Sequence, residues 1–200
     1  MLWVGWFGFN AGSAVAANSS AGMAMLVTHV GAAAGACAWT VCEWLRFKKP
    51  SVLGIVTGMV AGLGTITPAS GYVGPMAALV IGAVAGIVCF FATSYMKRVL
   101  HVDDSLDVFP VHGVGGILGT FLAGVFAFTL GGLGPTLQGM TMGQQLTVQL
   151  IGIATTVIWS GVITFVLLKI VDVLIGLRVP IEQETEGLDL AQHNETGYNL

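Results

Sequence analysis

The chain has 200 residues, of which 55% are apolar and only 8% are charged, and its formal net charge at pH 7 is −3. This composition excludes an ordinary soluble domain, in which about a quarter of the residues are charged. The sequence also lacks a basic patch, which argues against a nucleic-acid partner. We therefore predict an all-α integral membrane protein.

The apolar segments are divided by charges and by turn residues. Residues 1–13 are too short to cross a ~30 Å hydrocarbon core and predict the end of a helix whose start is missing. Two later uncharged runs, 50–96 and 108–168, are too long for one helix each and divide at "TPASGYVGP" and "LGGLGPTLQGMTMGQQ", where proline and glycine favour turns. The pattern therefore predicts five membrane spans, at about 21–44, 51–67, 72–95, 107–130 and 146–173.

The basic residues predict the orientation of these spans. All seven Lys and Arg residues lie in segments that the five spans place on one side of the membrane, and such a bias marks the cytoplasmic side. We expect a transmembrane domain of residues 1–178 followed by an acidic cytoplasmic tail, 179–200.

Glycines indicate how the helices pack. Four spans each carry two glycines four residues apart, a spacing that lets membrane helices approach closely; the pairs are Gly31 and Gly35, Gly58 and Gly62, Gly82 and Gly86, and Gly115 and Gly119. This pattern predicts a compact bundle in which any pathway is narrow. The cysteines show no metal-ligand spacing and are interpreted as small packing residues: Cys37, Cys42 and Cys89.

His112, in "DVFPVHGVGG", is the first candidate functional residue. A lone histidine on an apolar face is often a packing residue, but an ionisable group inside a membrane span is also a candidate for a pathway. A neutral imidazole has one donor and one acceptor, which suits a small neutral polar solute. His29 is interpreted as a packing or helix-pairing residue. The polar cluster before His112 is interpreted as helix capping: Asp103, Asp104, Ser105 and Asp107.

The first segment supplies further candidates. Trp6, Phe9 and Ser13 share one helical face. Aromatic faces attract ammonium-like cations, and a hydroxyl accepts a hydrogen bond from them. An aromatic belt at the membrane surface explains the same pattern without a ligand, and the spacing leaves both interpretations open.

Five segments in order along the chain resemble the second half of ammonium transporters of the Amt/Mep/Rh superfamily, on the Amt side: "LWVGWFGFNAGSA", "GLGTITPASGYVGP", "MKRVLHVDDSLDVFPVHGVGGILGT", "TMGQQLTVQL" and "VPIEQETEGLDL". The resemblance implies a homotrimer of eleven-helix subunits, each built from two inverted five-helix repeats plus a final long helix. This chain would supply the end of the sixth helix through the eleventh and the tail. The implied location is a bacterial or other prokaryotic-type plasma membrane.

The resemblance also implies roles for single residues. His112 resembles one of two pore histidines, Phe9 the lower member of a phenylalanine gate, Trp6 a pore-lining tryptophan and Ser13 the hydroxyl of an outer ammonium site. Ammonium would be captured outside, lose a proton near the gate and pass the imidazoles as ammonia. No cofactor, metal or enzymatic activity is expected. The tail keeps a turn formed by Glu186, Gly187, Leu188 and Asp189. In this family, the resemblance implies, such a turn helps a PII-type signalling protein block the pore. The alternative is that these residues belong to a solvated acidic tail.

The chain departs from the family in lacking the first five helices, and with them the partner histidine and the upper gate phenylalanine. One inverted repeat cannot enclose a pore that forms between two. We therefore expect a truncated gene or a fragment that does not transport ammonium unless a second chain supplies the other repeat. A non-conducting ammonium sensor or assembly subunit is the alternative. A membrane enzyme using His112 and Asp107 would need a cofactor pattern that the sequence lacks.

Overall fold

The computed structural model describes residues 1–133 and 139–197. Within these ranges the regular elements are helices, and five are long and apolar enough to cross a membrane. In chain order the helices are α1 (Leu2–Gly12), α2 (Ser19–Phe47), α3 (Val52–Ile66), α4 (Pro75–Arg98), α5 (Gly115–Phe126), α6 (Met142–Leu174), α7 (Ile181–Glu186) and α8 (Leu188–His193). A 3-10 turn, Thr67–Ala69, extends α3, and a π-helical turn, Phe109–Val114, precedes α5.

The all-α membrane fold predicted from the sequence is confirmed. The five candidate spans coincide with the predicted ones, with ends shifted by a few residues: Ser19–Phe47, Val52–Ala69, Pro75–Arg98, Phe109–Phe126 and Met142–Leu174. Part of the proline- and glycine-rich segment that separates the last two lies outside the described residues. By the contacts among its own residues, the chain divides into two compact units, Met1–Ile153 and Ala154–Leu200.

Polar residues define the helix starts in the first unit. The side-chain oxygen of Asn18 accepts a hydrogen bond from the Ala21 amide at 3.0 Å, and Ser51 accepts one from the Gly54 amide at 2.9 Å. Both bonds satisfy amides that a helix leaves without a partner in its first turn. Pro75 begins α4, where a missing N–H costs no helical hydrogen bond.

Glycines allow α2, α3 and α4 to pack backbone against backbone. A Cβ atom at Gly62 of α3 or at Gly82 of α4 would overlap the carbonyl oxygen of Gly31 on α2. Gly86 meets the carbonyl of Gly35 in the same way, one turn further along. The predicted close packing of glycine pairs is therefore confirmed for these three helices.

Larger side chains fill the space around these crossings. One cluster of buried residues centres on Val27, Ile66 and Ile81, and a second on Trp39, Cys89 and Phe90. Cys89 is fully buried, as predicted for a packing residue. The same prediction is wrong for Cys37, which is exposed because no described helix of this unit covers its side of α2.

The basic ends of α2 and α4 lie together. The guanidinium of Arg46 lies 5.9 Å from the ring centre of Phe90, and that of Arg98 lies 5.6 Å from the ring of Phe47. Cations at this distance from aromatic rings are attracted by the ring faces. The arrangement agrees with the prediction that these two basic segments share one side of the membrane.

The second unit contains the last part of α6 and the tail helices. Its apolar side chains are exposed, including Trp159, Phe165 and Leu174. In the tail, Arg178 binds both carboxylate oxygens of Glu184, with the shortest distance 2.8 Å. Gly187, at φ +105°, joins α7 to α8 in a conformation that favours glycine.

Candidate functional site

Helix α1 presents two aromatic residues of the predicted site. The rings of Trp6 and Phe9 meet edge to face, with centroids 6.2 Å apart and 76° between their planes. The indole N–H of Trp6 donates to Oγ1 of Thr67 at 2.8 Å, and the Thr67 hydroxyl donates to the carbonyl oxygen of Leu63 at 2.7 Å. This chain of hydrogen bonds fixes the Trp6 ring against the end of α3.

The π-helical turn brings His112 to the same place. Its imidazole lies parallel to the Trp6 indole, with 8° between the planes and 6.5 Å between the centroids. This is an offset stack, an arrangement that aromatic rings prefer to a face-to-face sandwich. The structure therefore brings together three of the four residues predicted to line a pathway: Trp6, Phe9 and His112.

A carboxylate determines where the π-helical turn begins. The two side-chain oxygens of Asp104 accept hydrogen bonds from the amides of Val108 and Phe109, each at 2.9 Å. Pro110 follows and is buried; because it is in the first turn, its missing N–H removes no needed bond. The predicted capping role is confirmed for Asp104.

The other polar residues of this loop have different partners. Asp107 forms an ion pair with Lys97 of α4 at 2.7 Å, which ties the loop to the end of α4. The Ser105 hydroxyl lies 3.5 Å from a carboxylate oxygen of Asp103. The capping prediction is therefore wrong for Asp107 and Ser105, because Asp104 already occupies the free amides.

Ser13 comes immediately after the last residue of α1. Its hydroxyl donates to the carbonyl oxygen of Phe9 at 2.7 Å, and the side chain is exposed. The hydroxyl oxygen keeps its acceptor capacity, because the proton alone is used in this bond.

His29 faces different residues of α1. Its ring centroid lies 5.1 Å from that of Trp3 and 6.0 Å from that of Phe7. These contacts agree with the helix-pairing interpretation of His29.

One side of the site is open. Phe9 is 64% exposed and His112 is also exposed. Because an ionisable side chain inside a membrane almost always faces the bundle interior, a water-filled cavity or a partner group, the exposure of His112 marks this face as a surface that another element covers.

Two supporting residues were missed at the level of sequence. Thr67 positions Trp6, as described above, and Asn10 donates to Oγ1 of Thr28 at 2.9 Å, which joins α1 to α2. Asn10 is only 4% exposed. An amide within an apolar segment was a usable signal, because a buried amide must find a partner.

The tail residues predicted to be regulatory form a turn in the second unit. Glu186 ends α7, Gly187 supplies the left-handed backbone, and Leu188 and Asp189 begin α8. Three of the four residues are exposed, and Gly187 is partly buried. Among the described residues, no group of three or more His, Cys, Asp or Glu is placed to hold a metal ion.

Comparison with known proteins identifies one family. A profile described as the Ammonium Transporter Family matches residues 1–198. The putative ammonium transporter of Methanothermobacter thermautotrophicus is 46% identical over 204 residues, and the ammonium transporter of Aquifex aeolicus is 45% identical over 201 residues. Each match includes all of this chain but 50% and 47%, respectively, of the relative. The chain thus spans about half the length of the curated relatives that it matches.

Solved structures give the same result. A structure described as "Sensor Amt Protein" superposes with a TM-score of 0.86 at 30% identity, over 96% of this chain and 46% of the other. Mep2 of Saccharomyces cerevisiae superposes with a TM-score of 0.77 at 34% identity, over 87% of this chain and 43% of the other.

Proposed function

The chain belongs to the ammonium transporter family, and we propose that it supplies one half of a narrow membrane pathway that carries ammonium as ammonia. The parallel Trp6 and His112 rings, with Phe9 beside them on an open face, are the observation that carries this proposal. The chain is a multi-pass membrane protein, and we assign it to transport rather than to enzymatic catalysis.

The proposed mechanism separates a cation from its proton. Ammonium is captured by the faces of Phe9 and Trp6 and by the acceptor oxygen of Ser13, since ring faces attract cations. It then transfers a proton to water on the outer side of the rings, and ammonia passes His112, whose neutral imidazole offers a donor and an acceptor. Potassium has no proton to release, and an apolar passage does not replace its water, so it is excluded.

The pathway needs a second wall. Phe9 and His112 lie uncovered on the open face, and the chain matches about half of each relative. Because transporter sites of this kind form between two inverted repeats, we propose that the chain conducts only when another polypeptide segment covers this face.

The assembly and orientation are further parts of the proposal. We assign residues 1–178 to the membrane domain and residues 179–200 to a cytoplasmic regulatory tail in a prokaryotic-type plasma membrane. Three complete subunits would form a homotrimer. The turn at Gly187, with exposed flanking side chains, supports contact with a PII-type signalling protein.

A non-conducting sensor or assembly subunit is the second candidate. One similar structure is described as a sensor Amt protein, and the tail of this chain is folded into two short helices with an Arg178–Glu184 ion pair. In this alternative, ammonium binding in the membrane domain would change the conformation of the tail, and no ammonium would cross the membrane.

Reconstitution distinguishes these possibilities. This chain alone would be compared, in liposomes of equal protein content, with a chimera that adds the half of the A. aeolicus ammonium transporter that the chain does not match. We expect ammonium flux from the chimera and none above empty liposomes from the chain alone. Flux from the chain alone would refute the second-wall requirement, and a folded chimera without flux would favour the sensor.

A further inference from the structure

Helix α3 contains one glycine that packing does not explain. Three of its glycines face neighbouring helices so closely that a Cβ would overlap them: Gly54 meets the Glu43 carboxylate, Gly58 meets Trp39 and Gly62 meets Gly31. Gly64 is different. The nearest atoms to a Cβ placed there are the carbonyl oxygen of Val111 at 3.8 Å and Nδ1 of His112 at 3.9 Å.

The backbone does not explain Gly64 either. The residue lies within α3 and has no positive φ. Glycine inside a helix is about 1 kcal/mol less favourable than alanine, and an alanine methyl would make only ordinary contacts at this position. Among the described residues, therefore, no contact requires position 64 to lack a side chain.

The location of Gly64 beside His112 suggests that the missing side chain serves the pathway. The His112 imidazole stacks with Trp6, and Nδ1 of the same imidazole faces the bare backbone of Gly64. The two walls beside His112 are thus an indole fixed by Thr67 and a stretch of α3 without a side chain. A side chain at position 64 would occupy the free space next to the imidazole.

We infer that Gly64 is a specificity-determining residue, whose missing side chain sets the clearance for a small solute beside His112 and leaves Nδ1 without a partner from α3. This inference rests on the proposed ammonium pathway and extends it. It predicts that the parent passage admits methylamine as well as ammonia, and that one methyl group at position 64 moves the size limit to between the two.

The first test compares two permeant molecules of different size, ammonium and methylammonium. In the chimera described above, Gly64→Ala should keep ammonium flux within about twofold of the parent and lower the methylammonium-to-ammonium ratio by about tenfold, since one methylene in an apolar pocket is worth roughly 10–200-fold. Gly64→Val should lower both fluxes. Gly22→Ala is the matched control, because a Cβ there meets nothing within 4 Å. An unchanged ratio in both Gly64 variants would overturn the inference.

The second test uses this chain alone, in lipid nanodiscs, and needs no flux. A serine hydroxyl at position 64 extends one bond beyond Cβ and comes within hydrogen-bonding reach of Nδ1 of His112. We expect Gly64→Ser, but not Gly64→Ala, to shift the ¹⁵N resonance of that nitrogen, identified by its loss in His112→Asn. If the parent chimera carries no ammonium, the proposed function fails while this shift still supports the contact. An unshifted resonance in Gly64→Ser would overturn the inference independently of transport.

Discussion

The indole of Trp6 and the imidazole of His112 lie parallel, 6.5 Å apart between ring centres, although they belong to different helical elements. Neither ring is held by the stack alone. Trp6 donates to Thr67, and the turn that carries His112 starts at the amides bound by Asp104. The geometry of the site therefore depends on residues outside it, and these provide the first predictions.

Thr67→Val removes the acceptor of the Trp6 indole while keeping the shape of the side chain. We expect a loss of about 0.5–1.5 kcal/mol in stability, the net contribution of a typical hydrogen bond, because the bond is partly buried. The measurement is denaturant unfolding in mixed micelles. Thr57→Val is the control, since Thr57 is partly buried like Thr67 and bonds only to Leu53 of its own helix. Equal stability of the two variants would contradict the role given to Thr67.

Asp104→Ala removes the cap of the π-helical turn. Losing an N-terminal cap costs about 0.5–2 kcal/mol, and we expect faster hydrogen exchange at the amides of Val108 and Phe109. Asp103→Ala is the matched control, because its carboxylate has only a weak 3.5 Å contact with Ser105. Unchanged exchange at both amides in Asp104→Ala would show that the turn does not need this carboxylate.

Gly62→Ala tests the helix crossing at the centre of the bundle. The new methyl would overlap the carbonyl oxygen of Gly31, and overpacking a tight interior costs about 1–3 kcal/mol. Thermal unfolding in detergent should therefore occur at a lower temperature than in the parent. Gly22→Ala, at an open position, should unfold no earlier than the parent. A Gly62→Ala protein as stable as Gly22→Ala would mean that α2 and α3 do not pack as described.

The spans were predictable because charge and turn residues mark them along the chain. Lys48 and Lys49 separate α2 from α3, and Pro68 and Pro75 flank the turn between α3 and α4. Membrane helices need long uncharged runs, so their number and order follow directly from the sequence. The glycine pairs likewise predicted backbone contact, which the positions of Gly31 and Gly62 confirm.

The details of the site were less predictable, because they depend on contacts between distant segments. Spacing placed Trp6, Phe9 and Ser13 on one face, but it could not show that Trp6 bonds to Thr67. Nor could it show that Asp107 pairs with Lys97 rather than capping a helix. A sequence read with the 3.6-residue period of an α-helix also does not reveal the π-helical turn at Phe109–Val114. In a π-helix the hydrogen bonds span five residues instead of four, which changes the direction in which His112 leaves the backbone.

The most direct test of the proposed pathway measures ammonium and potassium flux through the chimera with Phe9→Ala and His112→Ala combined. We predict that the double variant, assembled like the parent, loses ammonium flux or loses its discrimination against potassium. The control combines Phe91→Ala with His101→Asn, which changes an exposed aromatic residue of α4 and an exposed loop histidine, and it should behave like the parent. Parental rate and selectivity in the Phe9 and His112 double variant would contradict the assignment of these residues to the pathway.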